Sequence, residues 1–265
     1  APIVLCSFGD GTAQQGEVLE AIAHAVRDQL PVLFLIQNNR YAISTVTQGK
    51  TFFSLPDGNP ETFYGLKLNR IDGREVLTAE QAFGQIIAKM RTTRQPEIVI
   101  FDVERLASHT NADDQSVYRS QAERDQAWAT SDPIRLLRTQ LEEHGVTREL
   151  LEYIAAEMQT TVEMAAQNAQ VAPNPSPTFT AKKELPPYLY NPQQEYLGDQ
   201  SEPRLTMREA LRAVLEHHLH QDARVTLFGE DIEDPKGDVF GVTRGLTPIF
   251  PGRVVNSPLS ESTII

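Results

Sequence analysis

Short apolar runs alternate with helical patterns through the first third of the chain, and no other feature restricts its folding so strongly. Apolar segments at Ile3–Phe8, Val32–Gln37, Lys67–Ile71 and Glu97–Val103 are separated by helix-like stretches at about Gln15–Gln29 and Thr78–Arg91. Strands that alternate with helices fold as βαβ units, because the helix returns the chain so that successive strands run parallel. The expected class is therefore α/β, a parallel sheet flanked by helices. Ile3–Phe8 reads as a buried parallel strand, with Cys6 as inert packing inside it.

The pattern changes after Ser131. Asp132 and Pro133 make a helix start, Ile134, Leu137 and Leu141 follow at helical spacing, and Gly145 ends the segment. A second helix carries Leu151, Ile154, Met158, Val162 and Ala166 on one face. Residues 172–204 hold seven of the 17 prolines, as an extended linker would. Thr206 and Glu209 then form a capping-box pattern ahead of another amphipathic helix, and Val225–Phe228 reads as one more strand. The expected organisation is a domain over 1–171, a linker over 172–204 and the start of a second, similar α/β domain over 205–265. Since the chain opens and stops inside apparent strands, it is expected to be part of a longer one.

Formal charge excludes some partners. With 24 basic and 36 acidic residues the net charge is −12, and the basic groups are scattered, so a nucleic-acid footprint is not expected. The longest apolar run, Val32–Ile36, is far too short to span a bilayer. A cytoplasmic protein without nucleic-acid or membrane partners is the expectation. There is no G-x-S-x-G, Walker loop or paired C-x-x-C, which removes the corresponding hydrolase, nucleotide and zinc readings.

Gly9-Asp10-Gly11 falls between the first strand and the first helix, where small residues let backbone approach a ligand and a helix N-terminus favours anions. By itself this is equally a tight turn. Asn38-Asn39 ends the next strand, and one βα unit brings the two strand ends side by side, where α/β sheets bind ligands. One carboxylate with neutral carbonyl oxygens suits magnesium, whose remaining octahedral positions would take water or diphosphate oxygens.

Gly9-Asp10-Gly11, 26 intervening residues and Asn38-Asn39 together resemble the thiamine diphosphate motif. GDGTAQQGE followed by LPVLFLIQNNRYAIS is similar to the alpha subunit of the thiamine-dependent decarboxylating component of 2-oxo acid dehydrogenase complexes. ERLASHTNADDQSVYRS is similar to that family's active-site loop, and LFGEDIEDPKGDVFGVTRGL with RVVNSPLSES to the start of its beta subunit. The resemblance implies a fused alpha and beta enzyme with the thiamine diphosphate-binding fold. Such an enzyme decarboxylates a 2-oxo acid and reductively acylates a lipoyl-bearing acyltransferase, and in relatives the cofactor is clamped between an alpha-type and a beta-type domain of an oligomer.

 The complete protein is accordingly expected to be a homo-oligomer, and the 265-residue chain alone is not expected to turn over. An acetoin-cleaving dehydrogenase or other thiamine diphosphate enzyme, and a non-catalytic scaffold homologue, are the alternatives.

Carried over by position, the resemblance implies that Asp10, the Asn39 side chain and the Tyr41 carbonyl hold magnesium, with Gly9, Gly11 and Thr12 lining the diphosphate. It implies that Glu261 hydrogen-bonds the aminopyrimidine ring of the cofactor, that Ile43 wedges between its two rings, and that His109 assists acyl transfer to the lipoyl group. The loop departs from the family's pattern at Ser108 and Thr110. Glu17 and Glu230 match acidic positions that line a polar tunnel between paired active sites in relatives; a first-turn helix acid and a loop acid are the plainer readings. His217, His218 and His220 near the end of an amphipathic helix read as a solvated face.

Overall fold

The computed structural model describes residues 2–176, 201 and 204–264. Its strands are β1 (Val4–Gly9), β2 (Val32–Asn38), β3 (Tyr41–Ala42), β4 (Thr45–Val46), β5 (Thr62–Phe63), β6 (Leu66–Asp72), β7 (Glu97–Asp102), β8 (Leu227–Gly229) and β9 (Val254–Asn256). Its helices are α1 (Gly16–Arg27), α2 (Val76–Thr93), α3 (Gln121–Ser131), α4 (Pro133–Glu143), α5 (Arg148–Val171), α6 (Met207–Gln221) and α7 (Glu261–Ile264). The chain divides into two compact units, one of residues 1–140 with 207–265 and the other of 141–206.

In the larger unit a five-stranded sheet has the order β1-β2-β7-β6-β5. Its first three pairings are parallel, and only the short β5 runs antiparallel to β6. The central strand β7 is fully buried at Ile98, Val99 and Ile100, each side chain worth about 1.5–3 kcal/mol when removed from water. Strand alternation sends Ile98 and Ile100 to one face, where they meet Ile22 and Ala25 of α1 with Phe34, Ile36 and Phe53. Val99 faces the other way and packs with Leu33, Ile71, Ala79 and Met90, the last two from α2. A mixed α/β architecture with a mainly parallel sheet is what the alternation required.

The first strand differs from expectation. β1 lies at the sheet edge, Val4 and Leu5 are each 59% exposed, and Cys6 is exposed rather than buried packing. An apolar run announces a strand but not its place in the sheet, and β1 has a strand neighbour on one side alone among the described residues.

Residues 207–264 add α6 and a short parallel pair, β8 with β9, around a small core of Leu219, Leu246, Phe250 and Val254. In the smaller unit α5 buries no residue, and the expected apolar face is exposed at Ile154, Met158 and Val162. Most of the expected linker, residues 177–200, lies outside the described residues. Among the described residues no helix is long and apolar enough to cross a membrane.

Candidate functional site

Parallel pairing of β1 with β2 sets Gly9 beside Gln37, so the turns that follow both strands begin at the same level. Asp10 occupies the first turn and is buried. Its Oδ2 accepts a 2.5 Å hydrogen bond from the Thr47 hydroxyl. Burial pushes the Asp10 carboxyl above the ordinary aspartate value, against the Thr47 hydrogen bond and the nearby Arg105 charge. A bound cation would relieve that penalty.

Gly11 shows why the turn requires glycine. A Cβ there would stand 2.8 Å from Ala42 Cβ and 3.6 Å from Leu259 Cδ1, so the first turn lies directly against the turn after β2. Gly9 has no such constraint, since nothing lies within 4 Å of a Cβ built on it. Thr12 opens the 3-10 turn Thr12–Gln14 and is exposed.

In the second turn Asn39 Oδ1 accepts from Tyr41 N at 3.0 Å, which curls the backbone. Asn38 points elsewhere, its Nδ2 donating to Asp102 Oδ1 at 2.6 Å. The Tyr41 carbonyl accepts from Arg105 Nη2 at 2.7 Å, and Arg105 Nη1 donates to the Ile43 carbonyl. Ile43 has φ +52°, a left-handed conformation that a β-branched residue adopts at a cost of order 1–3 kcal/mol. Arg105 thus holds two carbonyls of a strained turn. The oxygens of Asp10, Asn39 and Tyr41 are all hard donors, and each carbonyl keeps a second lone pair, so the chemistry of these residues suits magnesium.

His109 is exposed in the loop after β7, its backbone N–H donating to Asp113 Oδ2 at 3.0 Å. Burial opposes ionisation of Asp113, yet hydrogen bonds from Lys236, Tyr118 and His109 hold its carboxyl below the usual range. Glu261 opens α7 and is exposed. The segment ahead of it docks on the first turn, where Gln15 Nε2 donates to the Leu259 carbonyl at 3.0 Å. Glu230 is half-buried, with one carboxyl oxygen buried and unpartnered among the described residues. Burial, then the charges of Glu261 and Asp231, push its carboxyl up. Glu17 is exposed in the first turn of α1, and His217, His218 and His220 are exposed on α6.

The family model described as "Dehydrogenase E1 component" matches residues 2–178. The chain belongs to that family. Among curated relatives of this E1 chain is the 3-methyl-2-oxobutanoate dehydrogenase subunit alpha of Mycobacterium tuberculosis, 35% identical over 151 residues, covering 57% of this chain and 40% of the relative. The alpha subunit of the acetoin:2,6-dichlorophenolindophenol oxidoreductase of Cupriavidus necator is 33% identical over 171 residues, covering 64% and 50%. A testis-specific, mitochondrial pyruvate dehydrogenase E1 component subunit alpha of Rattus norvegicus is 31% identical over 201 residues, covering 74% and 49%. The E1 chain spans about half the length, or less, of these relatives. Membership of the family implies thiamine diphosphate as cofactor.

Several residues around these turns escaped sequence reasoning. Arg105 and Lys236 lie within the stretches that carry the resemblance, but nothing in their spacing marks which carbonyl or carboxylate each would meet. Asp231 is buried and its Oδ1 accepts from Thr45 Oγ1 at 2.8 Å and from Ser44 N at 3.2 Å. Thr47 carries no sequence signal at all.

Proposed function

We propose that the chain serves in a thiamine diphosphate- and magnesium-dependent enzyme that oxidatively decarboxylates a 2-oxo acid and passes the acyl group to a lipoyl-bearing acyltransferase. What carries the reading is that the turn bearing Asp10 and the turn bearing Asn39 and Tyr41 follow adjacent parallel strands, in a member of the E1 family. Residues 1–171 would be the diphosphate-binding part with the thiamine diphosphate-binding fold, 172–204 a linker and 205–265 the start of a pyrimidine-binding part.

When bound, thiamine diphosphate supplies a nucleophilic carbon and an electron sink for loss of carbon dioxide. Asp10, Asn39 and Tyr41 would hold the cation, while Gly9, Gly11 and Thr12 would border the diphosphate. Glu261 would hydrogen-bond the ring nitrogen of the aminopyrimidine and hold or release a proton there. Ile43, already raised into a left-handed turn, would present an apolar wedge to the cofactor rings. His109, exposed beyond β7, would move a proton during acyl transfer to the lipoyl partner.

Carbon dioxide release by the full-length protein tests this across pyruvate, branched-chain 2-oxo acids and 2-oxoglutarate, with an artificial electron acceptor. Turnover of one oxo acid that requires thiamine diphosphate and magnesium and is lost in Glu261→Gln is the expected result. Turnover without the cofactor would overturn the proposal. A second reading, acetoin cleavage, is favoured by the Cupriavidus relative at 33% identity; oxidation of acetoin with silence toward every oxo acid would select it.

A further inference from the structure

Asp113 divides its two carboxylate oxygens between distant parts of the chain. Oδ1 takes the Lys236 ammonium, and the two side chains are 2% and 4% exposed respectively. Oδ2 accepts from the His109 N–H at 3.0 Å and the Tyr118 hydroxyl at 2.6 Å. Tyr118 in turn accepts from Arg105 Nη1 at 3.1 Å, and Arg105 Nη2 reaches the Tyr41 carbonyl.

A buried carboxylate is costly to keep ionised without a compensating cation. Arg105 is committed to the carbonyls of Tyr41 and Ile43, which leaves Lys236 in direct contact with the Asp113 charge. Residues 107–112 are exposed throughout, so burial does not hold His109; this carboxylate holds its backbone N–H, while Ser108 Oγ and the Thr110 carbonyl accept from Gln115 N at 3.3 Å and Asp113 N at 3.1 Å. The Lys236 backbone is itself rigidly placed. Its carbonyl accepts from Arg244 Nε at 3.2 Å, and a Cβ on the adjoining Gly237 would lie 2.2 Å from Arg244 Cα.

We propose that Lys236 is a positioning residue for His109: packing of the 207–264 segment against the rest of its unit supplies the cation that fixes the loop bearing the histidine. The proposal rests on the reading of His109 as the proton carrier of acyl transfer, and it adds that this loop is set by a residue 123 positions away.

The test uses the full-length protein with Lys236→Met, Lys236→Arg and Asp113→Asn, read by hydrogen exchange and by the two half-reactions. In Lys236→Met the amides of 105–118 are expected to exchange at least about tenfold faster while those of β2 and β7 keep their protection. Lys236→Arg should restore most of that protection, and Asp113→Asn, which preserves volume, should reproduce the loosening. Acyl transfer to the lipoyl partner should fall at least about tenfold, with decarboxylation to an artificial acceptor within about twofold of the parent. Unchanged exchange at 105–118 in both Lys236→Met and Asp113→Asn would overturn the proposal, as would an equal loss of both half-reactions with exchange raised across the whole sheet. Should Lys236→Met not fold, Asp113→Asn and Lys236→Arg decide the matter by the same readouts. If no 2-oxo acid is turned over by the parent, the exchange experiment still decides whether Lys236 orders the loop, so failure of the functional reading is distinguishable.

Discussion

Replacing Gly11 by alanine should damage both the stability of the protein and its cofactor site, and the size of the effect follows from one contact. The new methyl would stand 2.8 Å from Ala42 Cβ, whereas ordinary contacts begin at 3.4 Å. Ala42 must therefore retreat by about 0.6 Å, or the first turn must. Ala42 is buried and lies between Tyr41 and Ile43, whose carbonyls are both held by Arg105. Little can yield without cost, and overpacking of this kind destabilises by about 1–3 kcal/mol. For a protein of this size each kcal/mol lowers Tm by roughly 2–4 °C, so thermal unfolding should show a fall of about 2–12 °C. Gly9→Ala is the control, since nothing lies within 4 Å of its added Cβ; its Tm should stay within about 2 °C of the parent. Calorimetry of thiamine diphosphate binding with magnesium should show a further loss in Gly11→Ala, because displacing Ala42 drags the Tyr41 carbonyl. Equal Tm values for the two variants would refute the close-approach argument.

Asp10→Asn keeps the shape of the turn and the acceptor for Thr47 but removes the charge; magnesium-dependent thiamine diphosphate binding should weaken by more than about 100-fold, beyond the cost of losing an outer-shell partner, as titration calorimetry would read. Glu230 has a folded pKa raised by burial and by the charges of Glu261 and Asp231. Its neutral form therefore favours the fold, a contribution fully present below the unfolded value of about 4.5 and lost as pH rises through the higher folded value. Denaturation midpoints of Glu230→Gln should lack this fall and exceed the parent's at neutral pH.

The strands and helices of the first third were legible because their apolar periods are unambiguous, and β2, α2 and β7 lie within two residues of where alternation puts them. The short strands β3, β4 and β5 were not, since two-residue strands carry no periodic signal. The exposed edge position of β1 was equally hidden: hydrophobicity records a tendency to be covered, not what covers it. At the site, Asp10 and Asn39 could be paired from the sequence because a βα unit returns the chain to a neighbouring strand end. No comparable local rule connects Asp113 with Lys236 or Ser44 with Asp231.

Sequence alone determined the α/β class, the two turns at adjacent strand ends and the kinship to thiamine-dependent dehydrogenases, since each rests on short-range periodicity or on residue identities at fixed spacing. Tertiary structure decided the rest. It left β1 at an edge, pressed Gly11 against Ala42, gave Arg105 two carbonyls to hold and closed Lys236 on Asp113. These are contacts between residues far apart in the chain, and they depend on where whole elements come to rest, which no local pattern of residues encodes.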